Sequence, residues 1–184
     1  SPTRRYEMGT ENLNRLLQEA LNPEGKGKKE KQFGDFIYRE GDKVMQIKNN
    51  YDIMWKTKDG FTSGTGVFNG DIGIISEIDY TRETVTVEFD DKRVNYLYEQ
   101  LSELEPAYAM TVHKSQGSEY DTVILAAGNA AQSLLVRNVL YTAVTRAKKL
   151  LIIVGDDTAV QKMVENDRRQ RRYSGLRARL AGDY

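Results

Sequence analysis

Residues 10–21 read TENLNRLLQEAL, with apolar side chains at Leu13, Leu16, Leu17, Ala20 and Leu21. Recurrence at i, i+3, i+4, i+7 and i+8 predicts an amphipathic helix with that stripe buried. Thr10 is placed to cap its start, and Asn22-Pro23 ends it. From Phe33 to about Glu105 the pattern shortens to β-branched or aromatic runs, DKVMQI, GDIGIISEI, TVTVEF and VNYLY, separated by turns rich in Gly, Asn and Asp. A small antiparallel barrel or sandwich of about seventy residues is expected there. After Pro106, DTVILAA (121–127) and LLIIVG (150–155) are continuous apolar runs, the pattern of strands buried on both faces of a parallel sheet. Between them SLLVRNVLYTAVTRAKK spaces Leu135, Val139, Tyr141, Thr142 and Ala143 as a helix, with Ser133 as its cap. Strand, helix, strand is one βαβ crossover. The β module therefore interrupts an α/β domain whose two parts rejoin in space.

Length and composition narrow this picture. The 184 residues suit one medium domain carrying a small insert. Apolar residues make up 39% and charged residues 29%, so a folded, soluble protein is expected rather than disorder. The longest apolar runs are too short to cross a bilayer, no segment resembles a signal peptide, and cysteine is absent, which together favour the cytoplasm. Twenty-seven basic and twenty-seven acidic residues cancel, so overall charge does not announce a nucleic-acid binder. Two local clusters are basic: GKGKKEK at 25–31 reads as a flexible linker, and RRQRRYSGLRARL at 168–180 as a solvated final helix.

Two stretches carry candidate chemistry. The chain's one histidine, His113, lies in TVHKSQGSEYDTVIL (111–125). No cysteine nucleophile, G-x-S-x-G elbow or H-E-x-x-H pair accompanies it, so a hydrolase or a multi-histidine zinc site is excluded as the leading reading. A histidine bonded locally at a helix end competes with a ligand contact. The second stretch is TAVTRAKK (142–149), which puts Arg146 at the end of the predicted helix. Favourable interaction with the helix dipole and an arginine reaching a phosphate on a neighbouring domain are both open. Neither GKG nor GKK continues into the G-x-x-x-x-G-K-[ST] phosphate loop, and GTGVFNG misses the dinucleotide spacing by one residue and lies within hairpins.

Taken together, these stretches resemble a known family. AYAMTVHKSQGSEYDTVIL resembles motif V of superfamily 1 helicases, and RNVLYTAVTRAKKLLIIVG resembles motif VI. The forms HKSQGSE and LYTAVTRAK are those of the RecD-like branch, relatives of the exodeoxyribonuclease V alpha subunit. SPTRRYEMGTENLNRLLQEALNP resembles that branch's motif IV region, although TRRYEM lacks the glycine and proline of that turn. GDKVMQIKNNY followed by GVFNGDIGII resembles the entrance to its inserted barrel of the Src-homology-3 type. The four blocks occur in the family's order from Ser1 to about Val154.

The resemblance implies an α/β fold: a second RecA-like motor domain (1–32 and 106–184) without its own P-loop, carrying a small β-barrel at 34–104. It implies the C-terminal motor half of an ATP-dependent DNA helicase, active only with a first RecA-like domain that holds the P-loop and most of the Mg²⁺ ligands. Thr111 and His113 then face the phosphates of single-stranded DNA with Ser115 assisting, donors that suit phosphate oxygens without reading sequence. Gly117 turns the backbone toward the nucleotide, Glu119 contacts it, Arg146 matches the arginine finger, and Arg5 matches the motif IV arginine on the γ-phosphate. ATP and Mg²⁺ are the implied cofactors. Single-stranded DNA and the first motor domain are the implied partners, with room for nuclease subunits and no membrane. A catalytically inactive DNA-binding or adaptor module with the same fold is the alternative.

Overall fold

In the computed structural model, which describes residues 1–128, 130–131, 133–167 and 179–180, helix α1 spans Thr10–Leu21 as its spacing predicts. The cap differs by one residue: Gly9 holds that position and no side chain caps the helix. Residues 1–8 fold back on the helix start, where the Thr3 and Arg4 carbonyls accept from the Thr10 and Glu11 amides. A Cβ on Gly9 would lie 2.1 Å from the Arg5 carbonyl oxygen, so only glycine fits this return.

The apolar stripe is not the most buried face: Leu13 and Leu17 are only half-buried. Leu16, Ala20 and Leu21 are exposed, Leu21 by 69%, whereas Thr10, Asn14, Gln18 and Asn22 are buried. What those polar residues meet explains the difference. Asn14 donates to the Ala109 carbonyl at 2.9 Å and accepts from the Ala109 amide at 2.8 Å. Gln18 and Asn22 donate to the Asp42 carboxylate at 2.6 and 2.7 Å. The Arg39 amide and the Tyr108 hydroxyl complete that carboxylate's shell at 2.7 and 2.9 Å. A helix that docks on backbone and on a buried carboxylate needs hydrogen-bonding side chains at the contact, because unpaired buried polar groups are costly.

Strands β1 (Glu30–Phe33) and β2 (Phe36–Arg39) pair as an antiparallel hairpin, so the Gly-Lys cluster read as a flexible linker runs into ordered strand. Lys31 Nζ lies 3.9 Å from the centre of the Tyr98 ring, a cation–π contact that draws the segment onto the β module. The next strands are β3 (Lys43–Gln46), β4 (Asn50–Thr57), β5 (Ser63–Val67), β6 (Ile72–Asp79), β7 (Thr84–Phe89), β8 (Lys92–Leu97) and β9 (Leu104–Pro106). They form one antiparallel sheet in the order β5-β4-β8-β7-β6-β3-β9. Strand structure thus runs from 30 to 106, wider than the expected 34–104. Val44, Ile75, Ile78, Val85, Val87, Val94 and Tyr96 are all fully buried in one cluster, so the sheet curls around its own core.

Strand β10 (Tyr120–Ala127), helix α2 (Arg137–Val144) and strand β11 (Ala147–Gly155) make the expected crossover, with β10 and β11 parallel and outside the seven-stranded sheet. Helix α2 begins at Arg137 with Val136 at the cap, so Ser133 does not start it, and Tyr141 points outward. A third helix, α3 (Asp157–Glu165), is capped by the Asp156 carboxylate, which accepts from the Thr158 amide at 2.8 Å. Leu125, Ala127, Val139, Ala143, Ala159 and Met163 form the second core. Burial on both strand faces does not hold: Ile124 is 64% exposed, and Leu150, Ile152, Ile153 and Val154 are exposed too. Among the described residues this sheet has only these two strands, and α2 and α3 pack over Leu125, Ala127 and Leu151. No helix among the described residues is long and apolar enough to cross a membrane. Most of the basic stretch at 168–180 lies outside the described residues.

Candidate functional site

The stretch from Ala107 to Glu119 joins the two cores. Its start is fixed: the Ala107 amide donates to the Lys43 carbonyl at 2.8 Å, and Asn14 brackets Ala109 as described above. Burial, and then the Asp42 carboxylate, push the Tyr108 hydroxyl up to about 12, so it remains a donor at neutral pH. Beyond this anchor the chain coils tightly. The Lys114 and Ser115 amides donate to the Thr111 carbonyl at 3.0 and 3.2 Å, and the Gln116 amide donates to the His113 carbonyl at 3.3 Å. Gly117 ends the coil at φ +88°, a left-handed conformation that favours glycine.

Thr111, His113 and Ser115 therefore share one turn, but they are not equivalent. His113 is exposed, and its imidazole makes no hydrogen bond or ion pair with the described residues, so the locally bonded histidine is not what is seen. Thr111 is half-buried, its hydroxyl accepting from the Lys114 amide at 3.3 Å. Ser115 turns inward, 7% exposed, and its hydroxyl donates to the Val112 carbonyl at 2.8 Å. The expected outward assistance from Ser115 is thus replaced by an internal bond that closes the turn. Lys114, given no role by the sequence, pairs with Glu105, and Arg4 reaches the same carboxylate at 3.3 Å. This acid with two cations ties the N-terminal segment, β9 and the turn together. Nothing in the local pattern announces it, because its members are distant along the chain.

Arg146 lies in the turn between α2 and β11, half-buried. Its guanidinium donates to the Ser118 carbonyl at 2.9 Å, the Thr142 carbonyl at 3.2 Å and the Thr145 hydroxyl at 3.2 Å. The Thr142 contact is the helix-end interaction expected of a basic residue there. The Ser118 contact is different, because it joins the arginine to the turn that carries His113. No carboxylate pairs with Arg146 among the described residues. Glu119 is exposed and pairs with Lys148 at 3.3 Å. Arg5 lies elsewhere, in a cleft with Arg15, Phe33 and Phe36, and no contact among the described residues joins it to Arg146 or Glu119. Nor do three or more carboxylate or imidazole groups converge among the described residues, so the side chains present do not fit a complete Mg²⁺ site.

Comparison with known proteins gives this geometry a family. A profile of the "ATP-dependent RecD-like DNA helicase SH3 domain" matches residues 13–89, and one of the "UvrD-like helicase C-terminal domain" matches residues 106–154. The ATP-dependent RecD2 DNA helicase of Deinococcus radiodurans is 34% identical over 171 residues, 93% of this chain and 22% of the relative. The RecBCD enzyme subunit RecD of Mycobacterium tuberculosis is 38% identical over 117 residues, 64% of this chain and 20% of that subunit. The RecD subunit of Haemophilus influenzae is 29% identical over 177 residues, 94% of this chain and 23% of the relative. The chain thus spans about a fifth of the length of these relatives. A solved structure of two coordinating Pif1 helicases at forked DNA aligns with a TM-score of 0.53 and 16% identity, over 96% of this chain and 43% of that one. That likeness is one of fold. From the two profiles and the relatives that match most of its length, the chain belongs to the RecD-like helicase family.

Proposed function

We propose that this chain is the C-terminal motor half of an ATP-dependent DNA helicase. In this reading residues 1–32 and 106–184 are the second RecA-like domain and residues 34–104 its inserted barrel. A first RecA-like domain of the same protein supplies the phosphate loop and the Mg²⁺ ligands. The observation that carries the reading is Arg146, a half-buried guanidinium held, among the described residues, by two carbonyls and a hydroxyl. A carboxylate partner would quench its field; neutral acceptors leave the charge available to a phosphoryl group arriving from another domain. Its contact with the Ser118 carbonyl suits coupling as well. Drawing the guanidinium toward a γ-phosphate would release Ser118, and the release would pass to the turn where Thr111 and His113 face the strand.

In this assignment Thr111 and His113 touch DNA phosphates, Ser115 shapes the turn, and Gly117 and Glu119 lie on the nucleotide side. Arg5 belongs to the motif IV arginine position. The exposed apolar residues of β10, β11 and α1 are consistent with surfaces covered by other parts of a longer protein. ATP supplies the phosphoryl group whose transfer drives movement, and this chain contributes positioning and charge. The test is hydrolysis. The complete protein should hydrolyse ATP with stimulation by single-stranded DNA, and this chain by itself should not. Turnover by the 184-residue chain alone would sink the assignment.

A further inference from the structure

Strands β10 and β11 begin side by side at the turn that carries Arg146. Tyr120 pairs with Ala147, and the Tyr120 amide donates to the Arg146 carbonyl at 2.8 Å. One residue earlier on each chain stand Glu119 and Arg146. The register therefore sets a carboxylate-bearing residue beside the guanidinium that the proposed mechanism needs unpaired. The Ser118 carbonyl, next in the chain to Glu119, already accepts from that guanidinium at 2.9 Å. A planar guanidinium matches a carboxylate with two parallel hydrogen bonds, so Glu119 is a ready trap for Arg146.

The trap is not closed. Glu119 is paired instead with Lys148, at 3.3 Å, and Arg146 meets neutral acceptors among the described residues. Lys148 is the second residue of β11, so the strand that follows Arg146 brings the competing cation with it. The next lysine, Lys149, is engaged by Asp121 at 2.9 Å and does not hold Glu119. Both side chains of the Glu119–Lys148 pair are more than half exposed. The lysine's charge, rather than packing, therefore fixes where the carboxylate stays.

We infer that Lys148 is a positioning residue for ATP hydrolysis: it holds the Glu119 carboxylate off Arg146 and keeps the guanidinium free for the phosphoryl group. The inference rests on the helicase reading above and adds to it a residue that acts through two others. Without the lysine, Arg146 is the cation that the strand register places beside Glu119. An arginine paired in that way must break the pair before it can stabilise charge in the transition state, and that cost is charged to the chemical step.

The test is kcat for DNA-stimulated ATP hydrolysis by the complete protein at saturating ATP, which reads the chemical step apart from any loss of nucleotide binding through Glu119. Lys148→Met removes the charge from an exposed position and keeps the stem. It should lower kcat about two- to fivefold, the span of one exposed ion pair that has to be broken. Lys148→Arg keeps the pair and should turn over at the unaltered rate. The decisive comparison adds Glu119→Gln. With no carboxylate left to trap Arg146, Lys148→Met with Glu119→Gln should match the kcat of Glu119→Gln alone. Unchanged kcat in Lys148→Met would overturn the inference and leave a solvated surface pair. An equal loss with and without the Glu119 carboxylate would overturn it in favour of a direct lysine contact with the nucleotide. Normal turnover in Arg146→Ala would remove the arginine-finger reading, and this inference with it. Slow turnover in Arg146→Ala beside normal turnover in Lys148→Met would defeat this inference alone.

Discussion

Replacing Asp42 with alanine should unseat α1 from the barrel. The carboxylate is 1% exposed and accepts four hydrogen bonds, from Gln18, Asn22, the Arg39 amide and the Tyr108 hydroxyl. Tyr108 is half-buried and can turn toward water, and Gln18 and Asn22 keep their bonds to the Ile37 and Glu40 carbonyls, so one N–H of each and the Arg39 amide lose their acceptor. Each orphaned donor costs about 1–3 kcal/mol, and water entering the vacated space offsets part of the sum. The expected loss is about 2–4 kcal/mol, what remains of that sum after the offset. Trp55, the chain's only tryptophan, lies on β4 and reports barrel unfolding by fluorescence in urea. Asp42→Asn should lose less, because its side-chain oxygen still accepts two of the four bonds while its amide opposes the others. A loss below about 1 kcal/mol for Asp42→Ala would refute the claim that this cluster, rather than the leucine stripe, seats the helix.

His113→Ala in the complete protein should weaken single-strand binding about two- to tenfold, the span of one neutral hydrogen bond, with nucleotide binding unchanged. A base preference that disappears with this substitution would contradict a phosphate contact. Helix α3 should fray in acid, because hydrogen bonds from the Thr158 hydroxyl and amide hold the Asp156 carboxyl below its ordinary value of 3.8. A depressed folded value means the cap's contribution is full above the unfolded value and is lost as pH falls through the folded one. Amide exchange in α3 during an acid titration measures this, and Asp156→Asn, still able to cap, should flatten the profile.

The position of α1 was legible from its leucine spacing; its orientation was not. Periodicity reports which face is apolar, and in this chain the docking surface is a carboxylate and a backbone segment that only the fold brings together. Thr10, Asn14, Gln18 and Asn22 do recur every four residues, a polar stripe that the sequence displays beside the apolar one. The runs at 121–127 and 150–155 foretold β10 and β11 and their parallel pairing. Burial on both faces requires neighbours that the local pattern cannot supply. GKGKKEK looked like a linker because Gly and Lys dominate it, and its lysines are ordered by Tyr80 and Tyr98, far along the chain. At the site, motif spacing singled out His113 and Arg146, but the inward turn of Ser115 and the Arg146–Ser118 contact depend on tertiary geometry. Helix α3 and its Asp156 cap went unread, although DDT followed by Ala159, Val160, Met163 and Val164 carries the pattern.

Arg146 tests the central claim most directly, in DNA-stimulated ATP hydrolysis by the complete protein. A guanidinium that stabilises charge on the transferring phosphoryl group is worth roughly 10³–10⁵ in rate. Arg146→Ala should therefore nearly abolish turnover while leaving the fold and single-strand binding largely intact. Arg146→Lys should fail substantially as well, since lysine keeps the charge but loses the planar fork. If Arg146 serves only to cap α2, through its bond to the Thr142 carbonyl, both variants will turn over ATP at near-normal rates with a small loss of stability. Near-normal turnover in Arg146→Ala would contradict the motor assignment.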